Sequence, residues 1–277
     1  YYIEAAFKGK KGVAILFTVF LILTYGIGFN MLASYNLQST FSTYSFYNAD
    51  ITPWIIGFVI AALVCYCLMG GGKRIVSVTG ILVPIMGALY ILVALVLVII
   101  NAKMLPDVFR QIFAGAFDFR AIFGGFGGSC VMYGIKRGLF SNEAGMGSVP
   151  NAAATADVSH PVKQGLIQTL GVFIDTLIIC TSTALIVLMS DAYLSAEAAS
   201  INLTQVSLSD SIGEWAGAVL AITIFFFAFS SVIGNYYYGE SNIEFIKKSK
   251  TMLNVFRVLV IGFVFFGSVA KVQLVWD

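Results

Sequence analysis

Four long stretches of this chain carry no charged residue: Gly12–Tyr35, Ile51–Met69, Ile75–Ile100 and Trp215–Gly239. Such runs restrict the fold more than any other feature. An α-helix needs roughly 20 apolar residues to cross about 30 Å of hydrocarbon. A membrane strand needs only about 10 and alternates apolar with polar side chains. These runs do not alternate, so they read as transmembrane helices. Three weaker spans join them, which makes about seven hydrophobic segments. In chain order the spans are read at 12–35, 51–69, 75–100, 121–156, 164–189, 215–239 and 252–276. Hydrophobic residues make up 59% of the chain and charged ones 11%. A chain so poor in charge cannot cover its surface in water and must meet lipid instead. The expected fold is an all-α, polytopic helix bundle in the bilayer, a single membrane domain over residues 1–277.

Charge placement sets the topology. Lys8, Lys10 and Lys11 precede the first span, Lys73 and Arg74 separate the second from the third, and His160 and Lys163 separate the fourth from the fifth. Lys247, Lys248 and Lys250 separate the sixth from the seventh. The loops between are different. Residues 39–50 hold no Lys or Arg, 101–120 are mixed and include Arg120, and 191–214 carry Asp191, Glu197, Asp210 and Glu214 without a base. Basic loops thus alternate with non-basic ones, and the positive-inside rule places the start of the chain in the cytoplasm. The opening Tyr1-Tyr2-Ile3-Glu4 reads like mid-protein sequence, so an internal fragment of a longer protein is expected.

Several classes of function fall away. A net charge of +2 gives no footprint for nucleic acid. Cys65, Cys67, Cys130 and Cys180 lie in apolar stretches with no C-x-x-C pair, so metal-site spacing is absent and no organic cofactor is expected. One histidine, no H-E-x-x-H and no G-x-S-x-G argue against a membrane-embedded enzyme. His160, before Pro161, reads as a loop residue, with a proton-coupling role as the alternative.

The fourth span is interrupted. From Lys136 to Pro150 the chain holds Gly138, Gly145 and Gly147 and three charges, a poor setting for a continuous helix. Ser148 is a good N-cap and Pro150 suits a first turn. A first half-helix is therefore expected to end near Ser141, with an uncoiled stretch near Asn142–Gly147 and a second half-helix from about Val149. Uncoiled backbone inside a membrane is tolerated only when buried in protein or lining a cavity, and secondary transporters place their sites at such breaks. Close helix packing by the glycines, or a loop held by Glu143 with Lys136 or Arg137, are the plainer alternatives.

The run Arg137-Gly138-Leu139-Phe140-Ser141-Asn142-Glu143-Ala144-Gly145-Met146-Gly147-Ser148, continued by Asn151-Ala152-Ala153-Ala154-Thr155-Ala156, resembles the signature of the alanine or glycine:cation symporter family. Phe227–Glu240 matches a second segment of it, and the likeness runs the length of the chain. The resemblance implies a leucine-transporter-like fold of two inverted five-helix repeats, of which this chain would hold core helices three to nine. It implies Na⁺-coupled symport of small neutral amino acids such as alanine or glycine, by alternating access in the plasma membrane. By that likeness Ser141, Asn142, Glu143, Ala144, Gly145 and Gly147 would line the substrate site, and Ser230 with Ser231 would help hold Na⁺.

Other spans carry polar residues at helical spacing. Ser231 and Asn235 are four apart, Thr223 and Ser230 seven apart, and Asn30 and Ser34 four apart; each pair shares a face. Gln168, Asp175 and Ser182 recur at steps of seven in the fifth span. An intramembrane Asp is costly and must face the bundle or a wet cavity. Asp175 reads first as a hydrogen-bond anchor, then as an ion ligand. Asn30, Ala33, Ser231 and Asn235 are expected to shape the substrate pocket. Members of the resembled family often carry Gln where this chain has Ala33, Asn where it has Tyr35, and Trp where it has Asn235. These departures imply a larger or differently polar pocket, suited to a mid-sized neutral amino acid such as glutamine. A proton-coupled amino-acid carrier is a further alternative. The sequence leaves the oligomeric state open.

Overall fold

The computed structural model describes residues 2–117, 126–143, 145–194 and 201–271. Among these residues every regular element is helical and no strand occurs. The helices are α1 (Tyr2–Ala6), α2 (Lys11–Leu23), α3 (Phe29–Ser39), α4 (Thr52–Met69), α5 (Gly71–Ile100), α6 (Leu105–Ala116), α7 (Phe126–Asn142), α8 (Ser148–Ala153), α9 (Pro161–Phe173), α10 (Cys180–Leu188), α11 (Ile201–Ile212), α12 (Glu214–Ile246) and α13 (Lys250–Val269). Two π-helical segments, Thr24–Gly28 and Ile174–Ile179, join α2 to α3 and α9 to α10.

Among the described residues, six helical runs are long and apolar enough to cross a membrane: Lys11–Thr43, Thr52–Met69, Gly71–Ile100, Pro161–Leu188, Glu214–Ile246 and Lys250–Val269. The interrupted segment expected at 121–156 takes the form of two shorter helices, α7 and α8. Residues 121–125 of that segment, residues 272–276 at the end of the last expected span, Arg120 and Glu197 lie outside the described residues. Many large apolar side chains point away from the protein, among them Phe58, Met69, Ile81, Ile99, Leu166, Leu177 and Val258. Outward faces so uniformly apolar suit hydrocarbon.

The chain forms two compact units, one of Tyr1–Ala88 with Val219–Asp277 and one of Leu89–Ala218. In the first, α13 packs along α3 and α4. Small residues allow the approach. A Cβ on Gly267 would stand 2.5 Å from Met31 Cα and 2.6 Å from its carbonyl oxygen, so the two backbones touch. Ser268 Oγ donates to the Pro53 carbonyl at 3.1 Å and to that of Phe265 at 2.7 Å. The ring of Phe256 lies over Gly26 and Gly239 and stacks on Tyr236 at 5.6 Å. Lipid gives no hydrophobic drive for helices to associate, so close backbone contact and interhelical hydrogen bonds hold such pairs. Leu37, Val64, Val232, Ile233, Tyr236 and Val264 form the core.

In the second unit Leu97, Ile186 and Leu208 are fully buried. Tyr90 hydroxyl and Thr183 Oγ1 share a short hydrogen bond that ties α5 to α10. Thr183 also donates back to the Ile179 carbonyl at 3.1 Å. The π-helical segment Ile174–Ile179 packs against α7.

Candidate functional site

The expected break is present. Glu143 N–H still bonds the Leu139 carbonyl at 3.1 Å, and then the chain leaves the helix. Glu143 has φ +53°, Gly145 +82° and Gly147 +95°. A left-handed residue with a Cβ costs about 1–2 kcal/mol, which explains two of the glycines. A Cβ on Gly145 would meet nothing within 4 Å, so backbone angle rather than crowding selects glycine there. Helix α8 begins at Ser148 with Gly147 as its N-cap, one residue earlier than expected. The left-handed Gly147 takes the capping position, and Ser148 becomes the first helical residue. Its hydroxyl is buried and has no hydrogen-bond partner among the described residues. Asn151 Nδ2 instead donates to the Gly147 carbonyl at 2.7 Å and closes the turn. Ala144 lies outside the described residues.

The end of α7 is tied to the π-helical segment. Ser141 Oγ donates to Asp175 Oδ2 at 2.8 Å and lies 3.2 Å from Cys180 Sγ. Asn142 Nδ2 donates to Thr176 Oγ1 at 3.3 Å. Asp175 thus accepts a hydrogen bond from the end of α7.

In the other unit, two amides separated by most of the chain meet. Asn235 Nδ2 donates to Asn30 Oδ1 at 3.2 Å, and Asn30 Nδ2 donates to the Gly26 carbonyl at 3.1 Å. Asn30 is 0% exposed and Asn235 5%. Gly26 belongs to the π-helical segment Thr24–Gly28, a feature that frequently marks functional positions. Ser34, one turn from Asn30, is fully buried, and its hydroxyl has no partner among the described residues. Ala33 beside it is half-buried and Tyr35 is likewise. The structure thus brings Asn30, Ser34 and Asn235 into the interior of one unit.

The adjacent hydroxyls of α12 separate. Ser230 is buried, donating to the Phe227 carbonyl at 3.0 Å and toward Met86 Sδ at 3.6 Å. Ser231 is exposed. Thr223 is buried and bonds back to the Val219 carbonyl at 2.8 Å. Both serines are neutral oxygen donors, and Ser230 lies close to a main-chain carbonyl. That donor chemistry fits a hard monovalent cation better than a soft metal. Two hydroxyls are too few to enclose an ion by themselves.

Sequence reasoning missed one network. Arg257 of α13 donates from Nε to the Tyr236 hydroxyl at 2.8 Å and from Nη2 to Glu240 Oε1 at 3.1 Å. The side chains of Arg257 and Glu240 are only 29% and 15% exposed. A lone arginine within an apolar span was the available signal, since intramembrane charges pair.

The model of the sodium:alanine symporter family matches residues 1–277. The chain is 46% identical over 277 residues to the amino-acid carrier protein AlsT of Bacillus subtilis, covering all of this chain and 58% of that protein. It is 48% identical over 278 residues to the probable sodium/glutamine symporter GlnT of the same organism, again covering all of the chain and 57% of the relative. It is 38% identical over 257 residues to the sodium/alanine symporter AgcS of Methanococcus maripaludis, covering 91% of the chain and 55% of that protein. The chain therefore spans less than two thirds of the length of these relatives.

Proposed function

Because the chain belongs to the sodium:alanine symporter family, and so to a multi-pass membrane protein, we propose that the full-length protein carries a neutral amino acid together with Na⁺ by alternating access. The observation that supports this most is the break between α7 and α8, where Glu143, Gly145 and Gly147 take left-handed backbone angles. Backbone freed from the helical ladder offers carbonyls to an ammonium group or Na⁺ and amides to a carboxylate. The carboxyl end of α7 carries partial negative charge, which favours the cationic partner. In this reading Ser141, Asn142, Glu143, Ala144, Gly145 and Gly147 contribute to substrate binding. Ser230 and Ser231 contribute hydroxyl oxygens to Na⁺, whose binding couples the inward sodium gradient to uptake. Each charge moved inward gains about 2.3 kcal/mol per 100 mV of potential. The inverted-repeat plan, with this chain supplying core helices three to nine, belongs to the same proposal, as does a cytoplasmic start in the plasma membrane.

Alanine is the substrate that the family name supports, and glycine goes with it as another small neutral amino acid. A second reading, a mid-sized neutral amino acid such as glutamine, is favoured by Asn30, Ala33 and Asn235. Among the described residues Asn235 makes one hydrogen bond, through its Nδ2, which leaves Oδ1 as an acceptor for a substrate amide. Small Ala33 leaves room. The relative named as a probable sodium/glutamine symporter is 48% identical, and the one named as a sodium/alanine symporter is 38% identical.

The full-length protein in proteoliposomes tests this. An inward Na⁺ gradient is expected to drive saturable uptake that choline in place of Na⁺ abolishes. Uptake driven equally by a proton gradient without Na⁺ would replace the proposal with a proton-coupled carrier. Competition by an amino-acid panel separates the two substrate classes.

A further inference from the structure

The segments that carry Asn30 and Asn235 are held apart by one aromatic ring. Phe256 of α13 is buried, and its outer edge lies between two glycines of different helices. A Cβ on Gly26 would stand 2.8 Å from Phe256 Cε2 and 3.1 Å from Cζ. One on Gly239 would overlap Cζ and stand 2.8 Å from Cε1. Carbon atoms in contact sit about 3.5–4.0 Å apart, so glycine at both places is what admits the ring. Its face stacks on Tyr236 with 21° between the planes. Main chain cannot step aside as a flexible side chain can, so the ring and the two segments fix one another.

Each of these contacts falls beside the amide pair. Gly26 gives its carbonyl to Asn30 Nδ2 at 3.1 Å, while the ring covers its α-carbon. Gly239 lies one turn beyond Asn235, on the same face of α12. Tyr236 follows Asn235 in the chain, and its hydroxyl accepts from Arg257 Nε at 2.8 Å. Consecutive residues of α13 thus grip the ring and the hydroxyl of that tyrosine. Tyr25, in the Thr24–Gly28 turn, meets Tyr238 of α12 edge-on at 5.3 Å. The turn and α12 therefore face each other across Phe256, and the 3.2 Å bond from Asn235 to Asn30 spans the same gap. Hydrogen bonds weaken steeply as their geometry departs from the optimum, so a small change in that gap reorients the Asn235 amide.

We propose that Phe256 is a positioning residue for amino-acid selection: by spacing the Thr24–Gly28 turn from α12, it sets where the Asn235 carboxamide stands in the pocket. It acts through Asn235 rather than by touching substrate. Selection of substrate rests on the symport reading; the spacing of the two segments does not.

The test is Na⁺-driven uptake of alanine and of glutamine by the full-length protein in proteoliposomes, for wild type, Phe256→Leu and Phe265→Leu. Phe265 lies on the same helix, packs on Trp54 at 5.7 Å and serves as the control. Phe256→Leu removes the ring edge between the glycines. The ratio of the KM for glutamine to that for alanine is expected to change by roughly tenfold, while Phe265→Leu keeps the wild-type ratio. Adding Gly239→Ala to Phe256→Leu refills the space and is expected to return the ratio toward the wild-type value. If Phe256→Leu fails to fold, Phe256→Met, which keeps most of the bulk but not the flat edge, carries the same expectation. An unchanged ratio, or an equal change in Phe265→Leu, overturns the proposal and leaves the symport reading standing. If the wild type carries neither amino acid, the symport reading falls and melting temperatures judge the spacing. Losses in Phe256→Leu and Asn235→Leu that simply add in the double variant overturn it, and a combined loss smaller than the sum supports it.

Discussion

Asn235 links two buried amides across the interior of its unit. It donates to Asn30, whose own amide is spent on Gly26. Replacing Asn235 with Leu leaves Asn30 Oδ1 buried and unpaired, at a cost of about 1–3 kcal/mol. The expected result is a lower melting temperature together with weaker substrate binding, measured by thermal unfolding with and without amino acid. An Asn235→Trp variant adds bulk at this position and is expected to disfavour glutamine relative to alanine in uptake competition. Gly147 tests the break in another way. With φ at +95°, a Gly147→Ala change strains the turn by about 1–2 kcal/mol. A matching change at Gly138, inside α7 with nothing within 4 Å of an added Cβ, is expected to be neutral or mildly stabilising because alanine favours helix.

At the scale of elements, two kinds of contact hold α13 in place. The first is backbone on backbone. Gly267→Ala drives a methyl group into the main chain of Met31, which cannot move as a side chain can. The expectation is a clear loss of thermal stability, of order 1–3 kcal/mol, while Gly262→Ala, with open space around it, leaves the melting temperature unchanged. The second is the Arg257–Glu240–Tyr236 network between α13 and α12. Arg257→Ala abandons a mostly buried carboxylate and is expected to cost roughly 1–3 kcal/mol, between the limits for exposed and fully buried pairs. A double-mutant cycle with Glu240→Gln checks this: the double variant should lose less than the sum of the single ones. The two π-helical segments belong to this scale too. Neither was foreseen, because one inserted residue in a helix leaves the hydrophobic pattern almost unchanged.

At the scale of the whole molecule, the prediction is topological. The proposal places Lys73, Arg74 and Lys163 on the cytoplasmic side and residues 44–50 and 191–194 outside. Cysteines introduced singly at Lys73 and at Asn48 in the full-length protein should react with an impermeant maleimide from opposite faces of the membrane. Reaction of both from the same face would overturn the alternation of basic and non-basic loops. The relatives' greater length means that such work needs the complete protein, as does the uptake assay.

How much was legible follows from the range of the interactions. Helix, span and break are local. Length and apolarity dictate spans, because lipid leaves each segment no choice but to satisfy its own backbone. Glycine placement dictated the interruption after α7 to within a residue of its observed end. What pairs with what was not local. Asn30 and Asn235 are 205 positions apart, and nothing in either segment names the other. Arg257 finds Glu240 and Tyr236, 17 and 21 positions away, only because Gly26, Gly239 and Gly267 let α13 approach closely. Ser231 shares helical spacing with Asn235, yet one is exposed and the other buried, since helix packing, not periodicity, selects the covered face. The amino-acid sequence by itself determined a helical membrane protein with a broken segment, through the cost of exposing charge or peptide groups to hydrocarbon. Tertiary structure alone decided which polar side chains meet, because hydrogen bonds act over about 3 Å and only the packed helices bring distant residues that near.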